Sequence, residues 1–281
     1  MTDRANRLGV AIAGAGHSGS TLLGLTLGSL EDVFYAGEAK KATFIGDETK
    51  PLRKRVCKIC GPECSLWSRF VRPPTPDLYE HVAELSGCGT IVDSTKLPAW
   101  IRERRAELDA SGTPHKLLFL TRDGRAVVNS RLRKYPRRDP SEVVDHWLSQ
   151  LDQTEALAAE RPWNTMRVRY EELATKPEAT LRPVCAFLGV EFDGAMLRYE
   201  THEHHPLGGN TGTQSVVARA TDIDSDLAQV PVRSRSYYEP LRGGFRLDLR
   251  WREELRANAL AIFEARAGSR NAPFAWDGRE A

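Results

Sequence analysis

The sequence predicts one α/β domain built in three layers, a central parallel sheet flanked by helices on both faces. Two features carry that reading. Short runs of aliphatic and β-branched residues, the pattern of strands buried on both sides, alternate with helical patterns along the chain. The first such run, RLGVAIAG, passes through a glycine loop straight into the leucine-rich stretch STLLGLTLGSL. With 281 residues the chain is long enough for one sizeable α/β domain and too short for two comfortable ones, so residues 1–281 are read as a single domain.

The elements follow in order. RLGVAIAG reads as a strand, and Leu22, Leu23, Leu25, Leu27 and Leu30 are dense enough for a buried helix, with Ser20 or Thr21 available to cap it. DVFYAG is a short strand ending at Glu38. Residues 40–76 are irregular, charged and proline-bearing, an expected insertion or lid. A helix near 77–86 precedes the strand GTIVDS, and a charged helix covers 98–110. HKLLFLTR is a buried strand that runs into a helix starting near Asp123. Residues 140–160 form a long amphipathic helix, NTMRVRYEEL a further strand, and PEATLRPVCAFLGV a further helix. Residues 202–240 are rich in Gly, His, Ser and Arg without a clear period, which predicts a long functional loop. LRWREELRANALAIFEARAG closes the chain as a helix.

Composition excludes several function classes. A formal net charge of +2 argues against general nucleic-acid binding, while leaving room for a local cationic pocket. No apolar run reaches the roughly 18 residues that a membrane span needs, and no basic segment and cleavage site frame the early apolar run as a signal peptide. The expectation is a cytoplasmic protein with reduced cysteines. Arginine's excess over lysine points to a GC-rich bacterial genome.

GAGHSGSTLL, residues 14–23, carries the chemistry. Gly14, Gly16 and Gly19 fit a dinucleotide fingerprint, with Glu38 at the distance expected of its acidic residue. Gly14, Gly19 and Thr21 also fit a nucleoside-triphosphate loop, but Ser20 stands where that loop needs lysine. Both readings place an anion at a helix N-terminus. A discriminating pattern lies downstream in LLFLTRDGRAVVNSRLRK. A buried strand delivers Arg122 at its carboxyl end, and Ser130 and Lys134 then share a face of the next helix. That is a second phosphate pocket on the same sheet edge, unless Arg122 and Asp123 form no more than a surface ion pair.

Two anion sites on neighbouring strands suit a nucleotide phosphorylated at both ends. The pair of motifs resembles the sulfotransferases that use 3'-phosphoadenosine 5'-phosphosulfate (PAPS). HSGSTLL resembles their 5'-phosphosulfate loop, TRDGRAVVNSRLRK their 3'-phosphate motif, and VRYEELATKPEATL the later segment whose tyrosine approaches the adenine. The likeness runs in the right order from about residue 8 to 190. It implies a fold like that of the P-loop NTPases, PAPS as donor, adenosine 3',5'-bisphosphate as product, and no metal or redox cofactor. It further implies that Gly16, His17, Ser18, Gly19, Ser20 and Thr21 hold the 5'-phosphosulfate. Arg122, Ser130 and Lys134 would hold the 3'-phosphate, and Tyr170 would border the base.

Glu38 is the candidate general base, in YAGEAK, which resembles the GEE segment of protein-tyrosine sulfotransferases; a glutamate opening a helix could equally complement its dipole. Lys96, in VDSTKLP, stands where the family often places a lysine that neutralises the transferring group. His17 departs from the Lys or Arg usual at its position. It is expected to donate a hydrogen bond, to leave the cationic role to Lys96, or itself to accept the proton. GGNTGTQSVVAR resembles a late loop that closes over the nucleotide, with Arg219 as a contact. The acceptor is expected to be a small-molecule, sugar or phenolic hydroxyl. The competing readings are a nucleotide or small-molecule kinase with a degenerate loop and a non-catalytic nucleotide-binding module; a Glu38 and Lys96 turned away from the loop would favour the latter.

Two further clusters invite a metal. CKICGPEC places Cys57, Cys60 and Cys64 close together, but a zinc site would need a fourth ligand, such as Cys88 or His81, and no second C-x-x-C pair supplies it. THEHHP has three histidines without a carboxylate pattern to fix a geometry. Neither cluster is assigned a metal from the sequence.

Overall fold

A computed structural model describes residues 4–71, 77–160 and 164–278. Five strands form one parallel sheet: β1 (Leu8–Ala13), β2 (Val33–Gly37), β3 (Thr90–Asp93), β4 (His115–Thr121) and β5 (Thr165–Arg169), in the order β2-β3-β1-β4-β5. β1 is central and all six of its residues are buried, as its unbroken apolar run requires. Its register sets Val10 beside Val92 of β3 and Lys116 of β4. After β1 the chain fills one side of the sheet, then crosses to the other between β3 and β4. The strand order therefore reverses around β1, and the crevice beyond its carboxyl end is where open α/β sheets bind ligands.

The α-helices of eight residues or more among the described residues are α1 (Ser20–Leu27), α2 (Leu78–Ser86), α3 (Pro98–Ser111), α4 (Gly124–Lys134), α5 (Pro140–Ala159), α6 (Pro177–Leu188), α7 (Thr211–Ala220) and α8 (Ala257–Asn271). Their ends carry the expected chemistry. Asp77, Asp123 and Asp139 accept from backbone N–H groups at the starts of α2, α4 and α5, and left-handed glycines at 87, 112 and 189 close α2, α3 and α6. The main core joins the sheet to α1, α2, α3 and α6. A second cluster packs α4, α5 and α8 together, with the Trp147 and Phe263 rings 5.5 Å apart.

Three stretches differ from the sequence reading. The excursion at 40–76, of which 72–76 lie outside the described residues, is irregular but firmly anchored: Ile59, Leu66, Trp67 and Phe70 are buried in the main core. Within 202–240, residues 211–220 are helical. Asn210 accepts from the Thr213 N–H to start α7, and residues 212–218 are buried in one unbroken run that mixes Thr213, Gln214 and Ser215 with Val216, Val217 and Ala218, so no apolar period announces it. The closing helix is broken at Leu255, giving a short turn at Trp251–Glu254 before α8.

Candidate active site

The glycine loop occupies residues 14–19 between β1 and α1. Gly14 has φ 143° and Gly19 φ 94°, conformations open mainly to glycine, and His17 itself is left-handed at φ 71°. A β-carbon at Gly14 would lie 2.3 Å from the Leu120 carbonyl oxygen, and one at Gly19 would lie 2.5 Å from the Tyr170 ring. The loop is thus pressed between β4 and the residue that follows β5. α1 opens on Gly19 rather than on Ser20 or Thr21. It has no side-chain cap and no acidic residue in its first turn, so its first N–H groups are left open to an anion.

Arg122 emerges buried from the end of β4. Its guanidinium donates to the His17 carbonyl at 2.8 Å and lies 4.2 Å from the centroid of the Tyr170 ring. It also donates to the Asp248 carbonyl at 3.1 Å and pairs with the Asp248 carboxylate at 3.3 Å. Its Nε is buried with no hydrogen-bond partner among the described residues. Arg122 and Asp123 are not an ion pair with each other: Asp123 is committed to Arg125, Asn271 and the Trp276 N–H. Tyr170 caps the arrangement, its hydroxyl donating to the Arg246 carbonyl at 3.3 Å, as the Tyr237 hydroxyl does at 2.8 Å.

His17 joins the two predicted pockets. Its Nδ1 lies 3.1 Å from the Ser130 hydroxyl on α4. Burial first, then the positive charges of Lys134, Arg131, Arg122 and Lys96, pull its pKa down to about 3. A neutral imidazole is therefore the form present at pH 7, one that accepts or donates a hydrogen bond but is too weak a base to hold a proton. Arg122 and Arg131 reach the loop directly, and Lys134 and Lys96 are near enough for their charge to act on His17. Arg131, which sequence reasoning missed, lies near Gly16, whose N–H donates to the Gln150 side chain at 3.1 Å.

Glu38 stands just beyond β2. Burial pushes its carboxyl upward, but the Lys41 and Lys96 charges and hydrogen bonds from Lys41 and the Gly209 backbone outweigh this, leaving it below the ordinary carboxylate range. The Glu38–Lys41 ion pair is 2.7 Å long. Lys96 is half-buried and donates to the Ser94 carbonyl at 2.9 Å; burial lowers its pKa against the opposing pull of Glu38 and Asp93. Buried Asp93, a second residue missed from sequence, holds this corner together. It accepts from the N–H groups of Ala39 and Thr95, the Tyr79 hydroxyl and the Trp100 indole. A buried aspartate ending a strand in VDS was the signal available for it.

Gly208, Gly209 and Asn210 cover the start of α1. The Asn210 N–H donates to the Thr21 hydroxyl at 2.8 Å, and β-carbons at Gly208 and Gly209 would collide with Lys41 and Glu38, and with Gln214 and Thr21. The fold thus gathers Gly16, His17, Ser18, Gly19, Ser20, Thr21, Lys96, Arg122, Ser130, Lys134 and Tyr170 around one crevice, with Glu38 at its side. Arg219 does not join them. It sits in the last turn of α7 and donates to the Tyr238 and Leu241 carbonyls at 2.9 and 3.0 Å.

Known proteins resemble this chain in sequence and in fold. Residues 114–194 match the profile of a sulfotransferase family. Over 117 residues the chain is 30% identical to protein-tyrosine sulfotransferase A of Caenorhabditis elegans, a match that takes in 38% of this chain and 29% of that protein. Two solved structures share its fold. A sulfotransferase domain from the curacin biosynthetic pathway superposes over 91% of this chain and 96% of its own, with a TM-score of 0.56 and 18% identity. A sulfotransferase domain from the Synechococcus PCC 7002 olefin synthase does so over 99% and 98%, with a TM-score of 0.53 and 19% identity.

Proposed function

We propose that the chain is a sulfotransferase, one that moves the sulfuryl group of PAPS to a hydroxyl of a small-molecule, sugar or phenolic acceptor. One observation carries the donor assignment: the charges of four cations act on a neutral histidine in the glycine loop, beside an uncapped helix start. The buried, unpartnered Nε of Arg122 fits a further anionic oxygen beside that loop.

In this reading the backbone of residues 16–21 and the hydroxyls of Ser18, Ser20 and Thr21 hold the 5'-phosphosulfate. Arg122, Ser130 and Lys134 hold the 3'-phosphate, and Tyr170 borders the base. His17, neutral, bridges the two sites by its bond to Ser130. Lys96 neutralises charge that builds on the sulfuryl oxygens. The acceptor oxygen attacks sulfur in line, forming an O–S bond while the bond to the 5'-phosphate oxygen breaks. The electron pair leaves with adenosine 3',5'-bisphosphate, and the acceptor proton passes to Glu38. Most of the rate enhancement then comes from position and electrostatics, with the base adding typically about 10²–10⁴-fold. A carboxylate held ionised by Lys41 and Lys96 is ready to accept a proton over the whole neutral range.

Lys96 acts electrostatically on both His17 and Glu38, which supports an enzyme over a binding module. The test is transfer of radiolabelled sulfate from PAPS to a panel of sugar, phenol and aliphatic alcohol acceptors. Labelled product together with stoichiometric bisphosphate is expected. Phosphate transfer from ATP to the same panel, without sulfate transfer, would instead establish the kinase reading.

A further inference from the structure

The two clusters left without a metal in the sequence meet in the fold. Cys57, Cys60, Cys64 and His205 bring one ligand atom each to within 4.8 Å of one another, although Cys60 and His205 are 145 residues apart. From this geometry we infer that they form a structural Zn²⁺ site, which pins the excursion at 57–67 to the strap that runs over the active-site crevice.

The donor set is the first argument. Three thiolates and one imidazole nitrogen are a complete tetrahedral shell for zinc, whose ligand atoms at roughly 2.0–2.3 Å from the ion stand about 3.5–3.8 Å from each other. The Nδ1 atom of His205 already lies 3.2 Å from the sulfur of Cys60 and 3.4 Å from that of Cys64. The shell around those ligands is the second argument. The N–H groups of Ile59 and Cys60 point at the Cys57 sulfur at 3.5 and 3.4 Å, and Gly61, at φ 77°, turns the chain back beside Cys57. Backbone donors of this kind offset thiolate charge. The other nitrogen of His205 lies 2.9 Å from the Glu203 carboxylate, the outer partner that fixes a ligating imidazole with Nδ1 toward the metal. The neighbouring His204 takes no part; it is buried and bonded to the Tyr199 carbonyl at 2.8 Å. Cys88, His81 and Cys185 lie outside the cluster.

The site's position gives it a consequence. Trp67 donates to the His205 carbonyl at 2.6 Å, the Lys58 N–H to Pro206 at 3.0 Å, and the Leu207 N–H to Ala36 in β2 at 2.9 Å. Leu207 in turn accepts from the Glu38 N–H, and the strap continues into Gly208, Gly209 and Asn210 above α1. A metal joining Cys57, Cys60 and Cys64 to His205 fixes this strap two residues before it reaches Glu38. On binding, the three thiols lose their protons to solvent and the thiolates and imidazole donate to the ion, with no redox change.

The test begins with the wild-type protein and does not use activity. After reduction and reconstitution with Zn²⁺, elemental analysis should find one zinc per chain after gel filtration, and Co²⁺ should give tetrahedral d–d bands with thiolate-to-cobalt charge transfer. Glu203→Gln should weaken zinc affinity by roughly 10–100-fold while keeping all four ligands. Cys60→Ser and His205→Ala should lose the charge-transfer bands or the stoichiometry, and Cys88→Ser should change neither. Chelation should speed hydrogen exchange in residues 205–210 while β4 keeps its protection. Reduced wild-type protein that retains no zinc, octahedral cobalt spectra, or equal metal loss in Cys88→Ser would each overturn the proposal. None of these readouts depends on sulfuryl transfer, so the metal site and the proposed reaction can fail separately.

Discussion

At the scale of single residues, the fold holds Glu38 charged and His17 neutral. Glu38 is kept ionised by two lysines after burial has pushed the other way, so the acidic limb of kcat against pH is expected below the ordinary carboxylate value of about 4.3. Glu38→Gln should cost kcat at least about 10²-fold and leave bisphosphate affinity unchanged, as single-turnover rates and calorimetry would show. Equal losses in rate and affinity would make Glu38 a binding group. His17 is the opposite case. Its folded pKa of about 3 lies below the value of about 6.5 in an unfolded chain. Between those values the unfolded state binds more protons, so His17 costs stability progressively as pH falls from 6.5 towards 3. His17→Gln should flatten the acid side of the Tm–pH curve. NMR of the ligand-free protein should show no imidazole titration of His17 between pH 5 and 8. Sequence could identify these residues but not their charge states. Those depend on Lys134, Arg131, Arg122 and Lys96, which approach from α4 and the carboxyl ends of β3 and β4.

Among the elements, the strand–loop–helix unit at residues 8–27 was fully legible, because glycines at 14, 16 and 19 and the leucines of α1 are local signals. What presses on it was not. Gly19 is required less by the turn itself than by the Tyr170 ring, 151 residues later in the chain and 2.5 Å from where a β-carbon would stand. Gly19→Ala should displace Tyr170 and the Arg122 guanidinium stacked on it, destabilise the fold by about 1–3 kcal/mol, and weaken bisphosphate binding. Melting curves with and without ligand would measure both effects. α7 was hidden for a different reason. Residues 212–218 are buried without a break, polar Thr213, Gln214 and Ser215 beside Val216, Val217 and Ala218, so burial left no hydrophobic period to read. Arg219 illustrates the same limit: its charge was visible in GGNTGTQSVVAR, but the carbonyls of Tyr238 and Leu241 that occupy it lie in a later turn.

For the whole molecule, the alternation of strands and helices was enough to give the parallel α/β class, whereas the order β2-β3-β1-β4-β5 came only from the fold. That order explains why two motifs a hundred residues apart serve one crevice. β1 delivers the glycine loop and β4, its direct neighbour, delivers Arg122, so His17 and Arg122 are hydrogen-bonded across the strand ends. It also sets β2 and the strap from 205–210 side by side, which is how Cys60 and His205 meet. None of the described helices is long and apolar enough to cross a membrane. The central claim is that this crevice recognises a nucleotide by phosphates at both its 5' and 3' positions. The most direct measurement is calorimetric titration of the wild-type protein with adenosine 3',5'-bisphosphate and, in parallel, with adenosine 5'-monophosphate and ATP. The account predicts that the bisphosphate binds at least about tenfold more tightly than either, a difference of about 1.4 kcal/mol or more, and that Arg122→Ala removes the preference. Equal affinity for the 5'-monophosphate, or tighter binding of ATP, would contradict it.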